Sequence, residues 1–294
     1  LAFHGIDRVA VEEAGPGDIV AIAGLTNATV ADTLCDPSIT EPLVAQPIDP
    51  PTLAMTFSIN NSPLAGTEGS KVTSRVIRDR LLRESEGNVA IRITETQDKD
   101  AFEVAGRGEL QLGVLIEQMR REGFELTISR PRVLFQDDPE TGQRMEPVEE
   151  VMIDVDEEFS GAVVESMSTR KAEMTDLRPG GGGKIRITFL APSRGLIGYH
   201  GQFLTETRGT GIMNKVFHGY VPYKGPIVGR RSGVLISNST GKTVAYALWN
   251  LEERGVMFVP GGVKTYTGML IGENNRPGDL EVNPLKAKQL TNIR

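Results

Sequence analysis

The sequence predicts an α+β protein in which two βαββαβ modules follow one another. The end of a β-barrel precedes them, and a mainly β C-terminal region follows. Three observations predict this class. The hydrophobic period alternates between that of a strand and that of a helix, in the order βαββαβ, from residue 53 onward. The same order recurs after residue 150. Short β-branched runs punctuated by glycine stand before the first module and after the second.

Residues 1–46 carry the signature of short barrel strands. The run VAV at 9–11 and the run IVAIAGL at 19–25 flank the turn sequence GPGD, so we expect the closing strands of an antiparallel barrel. Residues 46–51, QPIDPP, predict a stiff linker, because successive prolines exclude both a helix and a central strand.

The first module follows this linker. Residues 53–59, 89–93, 102–105 and 126–128 read as strands. Two helices are predicted from apolar stripes at helical spacing, one carrying Val72, Val76, Ile77 and Leu81, the other Leu112, Leu115, Ile116 and Met119. Gly106-Arg107-Gly108 is interpreted as the start of the second helix.

The second module repeats the order. Residues 151–155, 185–190 and 212–217 alternate as strands, and helices are predicted after Ser160 and near Leu196. Ser193-Arg194-Gly195 stands where Gly106-Arg107-Gly108 stands in the first copy. Two tandem ferredoxin-like modules are therefore predicted. Beyond Tyr220 we expect β segments at 234–236, 244–248, 263–266 and 269–271, a short helix at 251–254, and Trp249 and Phe258 in the core.

Composition limits the kind of protein. With 39% hydrophobic and 24% charged residues among 294, the chain is typical of globular proteins. It has no apolar run near the roughly 18 residues of a spanning helix, and its start lacks the pattern of a signal peptide. We expect a cytoplasmic protein with no membrane partner. Because the chain does not begin with Met, we also expect it to be part of a longer protein.

Charge is unevenly distributed along the chain. The net charge is −7, but residues 177–251 hold ten basic residues and a single acid, Glu206, which makes that stretch about +9 and the remainder about −16. Such a stretch creates a potential that attracts a polyanion. Residues 137–158 are the opposite, with ten acids and only Arg144, and are interpreted as an exposed linker running into an edge strand.

These basic residues are the predicted polyanion-binding set. Arg230, Arg231 and Lys242 are expected to matter most in the last region, and Lys184, Arg194 and Lys215 in the second module. The full set is Lys184, Arg194, Arg208, Lys215, Lys224, Arg230, Arg231 and Lys242. Aromatic residues within the same stretch are candidates for stacking on bases. They are Tyr199, His200, Phe203, Tyr220 and Tyr223.

No catalytic, metal or cofactor site is predicted. A single cysteine, Cys35, excludes an internal disulfide, and three scattered histidines do not have metal-ligand spacing. Residues 239–243, STGKT, imitate a phosphate loop, but Ile236 occupies the position that requires glycine and no helix is predicted to follow. We interpret this segment as a tight hairpin with an exposed Lys242.

Longer motifs resemble one known family. AFEVAGRGELQLGVLIEQMRREGFELTISRPRV, from residue 101, resembles domain III of translational GTPases related to elongation factor G. PSRGLIGYHGQFLTETRGTG, from residue 192, and GVLISNSTGKTVAYAL, from residue 233, resemble the BipA/TypA branch of these GTPases. The resemblance implies that 1–46 ends barrel domain II, 47–131 is domain III, 132–220 is domain V, and 221–294 is the branch's own C-terminal domain, with its last segment absent.

The resemblance also implies a function. It implies docking on the ribosome, with contacts to ribosomal RNA and the acceptor end of A-site tRNA, in translation regulation, stress response or large-subunit assembly. The GTP-binding domain, which would hold GTP and Mg²⁺, is not in this sequence, so we expect no GTPase activity from this chain itself. The alternative is a regulatory protein that binds a small molecule between its two βαββαβ modules.

Overall fold

The computed structural model describes residues 2–4, 7–25, 32–44, 49–227 and 232–287. Two sheets, each with helices packed on one face, make up most of it. We call residues 53–133 the first module, residues 136–222 the second module and residues 234–282 the C-terminal region. In these described ranges no helix is long and apolar enough to cross a membrane.

The N-terminal residues form a small hairpin. Strand β1 (Ala2–His4) pairs antiparallel with β2 (Asp7–Val9), and Ala2 forms a further bridge with Val20. Residues 19–25, predicted to be a barrel strand, form no other ladder with the residues described here, and the side chains of Ile19 and Ile22 are exposed. A strand is stable only when neighbouring strands pair with it and a second layer covers its apolar face.

The first module has the predicted element order. Its elements are β3 (Leu53–Ile59), α1 (Ser74–Gly87), β4 (Arg92–Glu95), β5 (Ala101–Gly106), α2 (Glu109–Arg121), β6 (Leu126–Ile128) and β7 (Arg132–Val133). The antiparallel sheet has the order β4-β5-β3-β6, and β7 also pairs with β3. Gly108 is the N-cap of α2, as predicted. The stripe of Leu112, Leu115 and Met119 is buried in the core.

The second module repeats this arrangement. Its elements are β8 (Gln136–Asp137), β9 (Arg144–Asp156), α3 (Glu157–Thr169), β10 (Glu173–Pro179), β11 (Lys184–Pro192), α4 (Ser193–Leu196), α5 (Tyr199–Glu206) and β12 (Ile212–Pro222). The sheet order is β10-β11-β9-β12, and β8 pairs with β9. Both modules therefore place the first strand of the unit in the sheet interior and the second strand at one edge.

The interpretation of residues 137–158 as a linker entering an edge strand is wrong. Most of the segment is β9, a central strand that pairs with β11 on one side and β12 on the other. Val151, Ile153 and Val155 are buried on the face covered by helices. Because successive side chains of a strand alternate between faces, Asp154, which stands between Ile153 and Val155, lies on the other face and does not disturb that core.

The C-terminal region is a mixed sheet with one helix. Its elements are β13 (Val234–Ser237), β14 (Gly241–Lys242), α6 (Ala245–Leu251), β15 (Gly255–Met257), β16 (Lys264–Thr265), β17 (Leu270–Asn274) and β18 (Leu280–Val282). The larger sheet has the order β15-β17-β13-β18, and β14 pairs with β16. The predicted strand at 244–248 is wrong, because Ala247 and Leu248 turn one helical face of α6 inward.

Candidate nucleic-acid interface

The basic stretch of the sequence is largely neutralised in the fold. β9 lies between β11 and β12, so its carboxylates stand beside the cations of both neighbours. Six of the basic residues between 177 and 251 form ion pairs with β9 or β10. The pairs are Arg178–Asp176, Lys184–Asp156, Arg186–Asp154, Arg194–Glu146, Lys215–Glu149 and Lys224–Glu173. A charge of about +9 counted along the sequence therefore does not describe the surface potential.

Arg194 is part of a buried ion pair. Its Nε and Nη2 donate to Glu146, whose side chain is fully buried, and only 15% of the Arg194 side chain is exposed. Nη2 also donates to the Gly225 carbonyl at 2.5 Å, and the backbone N–H of Lys224 donates to Glu146 at 2.7 Å. This geometry replaces the RNA contact expected for Arg194 with a structural role, because the guanidinium donors face the interior of the protein.

Three of the four lysines in the predicted set lie close to a carboxylate. Lys184 lies 3.6 Å from Asp156 and donates to the Thr210 carbonyl at 3.0 Å. Lys215 lies 3.5 Å from Glu149, and Lys224 donates to Glu173 at 2.8 Å. The carboxylates of Asp156 and Glu173 are exposed, and surface pairs of this kind contribute at most about 1 kcal/mol, so a phosphate could displace them at small cost. The Glu149 side chain is only 9% exposed, so displacing it from Lys215 would leave a buried carboxylate without its ion pair.

Arg208 and Lys242 are exposed members of the set. Arg208 lies in the turn after α5 with a positive φ of 49°, and its Cζ lies 5.6 Å from the centre of the Phe159 ring. Lys242 is exposed in β14. Neither forms an ion pair with any residue in the described part of the chain. Arg230 and Arg231 lie outside the described residues.

Most aromatic candidates are core residues or are already stacked. Tyr199 and Phe203 are buried, and burial together with the nearby Glu206 carboxylate raises the pKa of Tyr199 to about 12. Tyr223 lies against two guanidinium groups, with Arg194 4.7 Å and Arg144 5.5 Å from its ring centre. These rings are therefore not available to stack on a base.

Two large aromatic side chains of the C-terminal region are strongly exposed. Trp249 and Phe258, expected in the core, are 64% and 60% exposed, and the Trp249 ring lies 6.2 Å from that of Tyr246. The helical spacing of Tyr246 and Trp249 could have identified this face, since the two residues are three apart and lie opposite the buried pair Ala247 and Leu248. The predicted strand at 244–248 does not reveal this face, because a strand places Tyr246 and Trp249 on opposite sides.

Two arginines that the predicted set omitted lie close to Lys184. Arg178 in β10 and Arg186 in β11 are direct cross-strand partners, and both line a cavity of about 360 Å³ together with Lys184. Alternation along β11 could have identified Arg186, because it stands between the buried Ile187 and the partly buried Ile185, on the face opposite the helices.

A second, larger cleft separates the two modules. It measures about 1210 Å³ and is lined by Arg132, Arg170, Gln202 and Glu206 among others. Arg170 donates to the Gly195 carbonyl and to Gln202, and Gln202 donates to Ser166 and Glu206. Because these polar groups satisfy one another, the cleft does not favour the small-molecule alternative.

The described residues contain no group of three or more His, Cys, Asp or Glu side chains that could hold a metal ion. Cys35 is exposed.

Residues 239–243 run from the end of β13 into β14, which pairs with the distant β16, so the predicted tight hairpin is wrong. The predicted exposure of Lys242 is confirmed.

Two family models and several known proteins are similar to this chain. Residues 232–294 match the model of the TypA/BipA C-terminal domain, and residues 143–231 match that of the elongation factor G C-terminus. The whole chain is 49% identical to the large ribosomal subunit assembly factor BipA of Bacillus subtilis and 48% identical to that of Haemophilus influenzae. It is 47% identical to that of Escherichia coli K12. In each case the chain spans 48% of the relative's length.

A crystal structure of a protein from Thermus thermophilus superposes with a TM-score of 0.39 at 11% identity, covering 61% of this chain and 42% of that one. A score this low does not establish a shared fold.

Proposed function

Because this chain corresponds to the C-terminal part of the TypA/BipA family, we propose that it is the ribosome-docking portion of a translational GTPase that acts in assembly of the large ribosomal subunit. The observation that supports this is the identity of 47–49% along the entire chain to proteins named for that role. The GTP and Mg²⁺ of such a protein would be held by its GTP-binding domain, which neither matched domain model represents. The chain itself acts by binding, in the cytoplasm.

The physical basis of docking is neutralisation of RNA phosphates by cations on the second module and the C-terminal region. Arg208 and Lys242 are the best placed, since no described carboxylate pairs with them. Lys184 and Lys224 contribute by exchanging an exposed carboxylate for a phosphate. Lys215 contributes its charge while it stays beside the buried Glu149. Arg230 and Arg231 belong to the proposed RNA-binding set by their sequence alone, and the acceptor end of A-site tRNA is a further partner of the C-terminal region.

Co-sedimentation with purified large ribosomal subunits tests this function. The 294-residue chain is mixed with subunits at salt concentrations from about 50 to 200 mM. If about six phosphates are neutralised, the affinity falls by roughly a thousandfold over that range, using the slope for double-stranded DNA as a guide. Small subunits and a neutral globular protein of similar size are the controls.

Two results would count against the proposal. One is a chain that stays in the supernatant at about 50 mM salt. The other is binding that does not change with salt, which would indicate an apolar interface and not phosphate recognition.

A further inference from the structure

One end of the second module carries a cationic cavity. The sheet of this module has helices on one face only, and Ile187 and Phe189 of β11 turn toward them. Arg186, between the buried Ile187 and the partly buried Ile185, therefore points to the open face. A glycine-rich tip, residues 180–183, joins β10 to β11 at this end. We call the cavity of about 360 Å³ beside this tip, lined by Arg178, Lys184 and Arg186, the tip cavity.

Its central feature is an arginine pair in register. Arg178 and Arg186 are direct cross-strand partners in an antiparallel ladder. Like charges directly opposite one another destabilise a sheet, and an anion between them removes that cost. Lys184, two residues before Arg186, adds a third cation at the same end.

One carboxylate holds Arg186 in place but leaves one of its donor groups free for a ligand. Asp154 accepts from Nε of Arg186 at 2.7 Å and from Nη2 at 2.8 Å, which leaves Nη1 for another acceptor. The same pairing lowers the pKa of Asp154, so it stays ionised and holds the guanidinium in place. The Arg186 side chain is nevertheless 42% exposed.

The other two cations have weak contacts with carboxylates. Arg178 lies 3.6 Å from Asp176, and Lys184 lies 3.6 Å from Asp156, both beyond normal hydrogen-bond distance. The Arg178 side chain is 61% exposed and can turn toward a ligand at small cost. Lys184 donates to the Thr210 carbonyl at 3.0 Å, a hydrogen bond that it would exchange for one to the ligand.

The glycines of the tip keep the cavity open. Gly181 lines it, and a Cβ at this residue would meet no other atom within 4 Å. A Cβ on Gly180 would come within 3.0 Å of the Lys184 carbonyl, so Gly180 is needed for the close turn itself. A backbone without side chains at the mouth lets a phosphate approach the cations closely.

We propose that the tip cavity binds one phosphodiester group of folded ribosomal RNA, with Arg178 and Arg186 donating to its oxygens and Lys184 supplying a point charge. Guanidinium groups suit this geometry because their planar donors match two phosphate oxygens. The described lining contains no aromatic side chain, which favours recognition of the backbone over that of a base. The inference rests on the proposed function for the source of the phosphate.

The test uses the whole 294-residue chain and three probes: large ribosomal subunits, an RNA hairpin of about 20 nucleotides, and inorganic phosphate. Arg178→Gln removes one cation, and Gly181→Asp places a carboxylate at the mouth. Gly181→Ala controls for the loss of glycine, and Lys99→Gln removes one charge from an exposed turn of the first module. Thermal melting of each variant establishes that it is folded.

We expect Arg178→Gln and Gly181→Asp to weaken binding of subunits and of the hairpin by about tenfold, the effect of losing one hydrogen bond to a charged group. The salt slope should fall by about one unit for Arg178→Gln. Gly181→Ala and Lys99→Gln should bind as the parent chain does.

Three other outcomes have definite meanings. Variants that bind both RNA probes like the parent, with unchanged slope, overturn the site while the proposed function stands. A parent chain that fails to bind subunits but binds the hairpin through Arg178 keeps the site and overturns the proposed function. Inorganic phosphate that binds as tightly as the hairpin overturns RNA as the ligand and leaves a small-anion site.

Discussion

Arg194 and Glu146, 48 residues apart in the chain, form an ion pair whose carboxylate is fully buried. The same carboxylate accepts from the backbone N–H of Lys224, and the same guanidinium donates to the carbonyl of Gly225. The pair thus fastens the start of the connection between β12 and the C-terminal region to the end of the second module. It is a structural contact in a stretch whose sequence suggests only RNA binding.

Arg194→Met should destabilise the chain strongly. Removing the guanidinium leaves a buried, unpaired carboxylate, which costs about 3–5 kcal/mol in the free energy of unfolding. Urea denaturation followed by circular dichroism measures this. The double variant Arg194→Met with Glu146→Gln should lose less, because the uncompensated charge is gone. A single variant as stable as the parent would show that the pair is not a structural contact.

Arg208→Glu and Lys242→Glu should weaken binding to large ribosomal subunits without loss of stability. Both residues are accessible and have no described carboxylate partner, so reversing their charge repels phosphate and breaks no internal pair. Each should weaken binding by about tenfold in co-sedimentation at about 100 mM salt, on the scale of a charge-assisted contact. Lys99→Glu is the matched control on the first module. Equal binding by all three variants contradicts the assignment of Arg208 and Lys242.

The sequence was sufficient to predict the two modules because strand and helix periods are local. The spacing of Leu112, Leu115 and Met119 predicts a helix without any knowledge of the residues that pack against it. Pairing partners are not local: no spacing along the chain reveals that Asp154 stands beside Arg186, or that Glu146 lies next to Arg194. For this reason the sequence reveals the basic stretch but does not reveal that carboxylates of β9 neutralise it. The strand predicted at 244–248 is wrong for a different reason. The helix there has only seven residues, which is too short for its period to stand out among β-branched neighbours.

Glu125 should make stability depend on pH in the acid range. Its carboxylate accepts from the backbone N–H groups of Gly66, Glu68 and Gly69 at 2.6–2.8 Å, and these hydrogen bonds lower its pKa from 4.5 to about 2. Because the folded pKa is depressed, the stabilisation is complete above about pH 4.5 and is lost as the pH falls toward 2. Melting temperatures measured from neutral pH down to about pH 2 should show this decline.

The matched variant is Glu125→Gln. It should melt at a lower temperature than the parent at neutral pH and show a weaker decline between pH 4.5 and about pH 2. Parallel curves for the two proteins would mean that another carboxylate dominates the acid transition.

Two glycines should respond in opposite directions to the same substitution. A Cβ on Gly255 in β15 would lie 1.7 Å from the carbonyl oxygen of Glu273 in the paired strand β17, so Gly255→Ala must push these strands apart. We expect a loss of about 2 kcal/mol in the free energy of unfolding. Gly113 lies inside α2 with open space around a Cβ, so Gly113→Ala should gain about 0.5–1 kcal/mol. Urea denaturation of both variants measures the two changes in the free energy of unfolding. A Gly255→Ala variant more stable than the parent would contradict the close contact between Gly255 and the Glu273 carbonyl.

Trp249 should report a solvent-exposed environment. It is the single tryptophan of the chain, and its side chain stands on the outer face of α6, beside Tyr246 and opposite the buried Ala247 and Leu248. The emission maximum of the folded chain should therefore lie close to that of the unfolded chain, and acrylamide should quench both to a similar extent. Trp249→Ala should change the free energy of unfolding by about 0.5 kcal/mol or less, as surface substitutions usually do. A blue-shifted emission that moves to longer wavelength on unfolding would place the indole in the core. It would contradict the orientation of α6, because the helix would then have to turn Trp249 inward in place of Ala247 and Leu248.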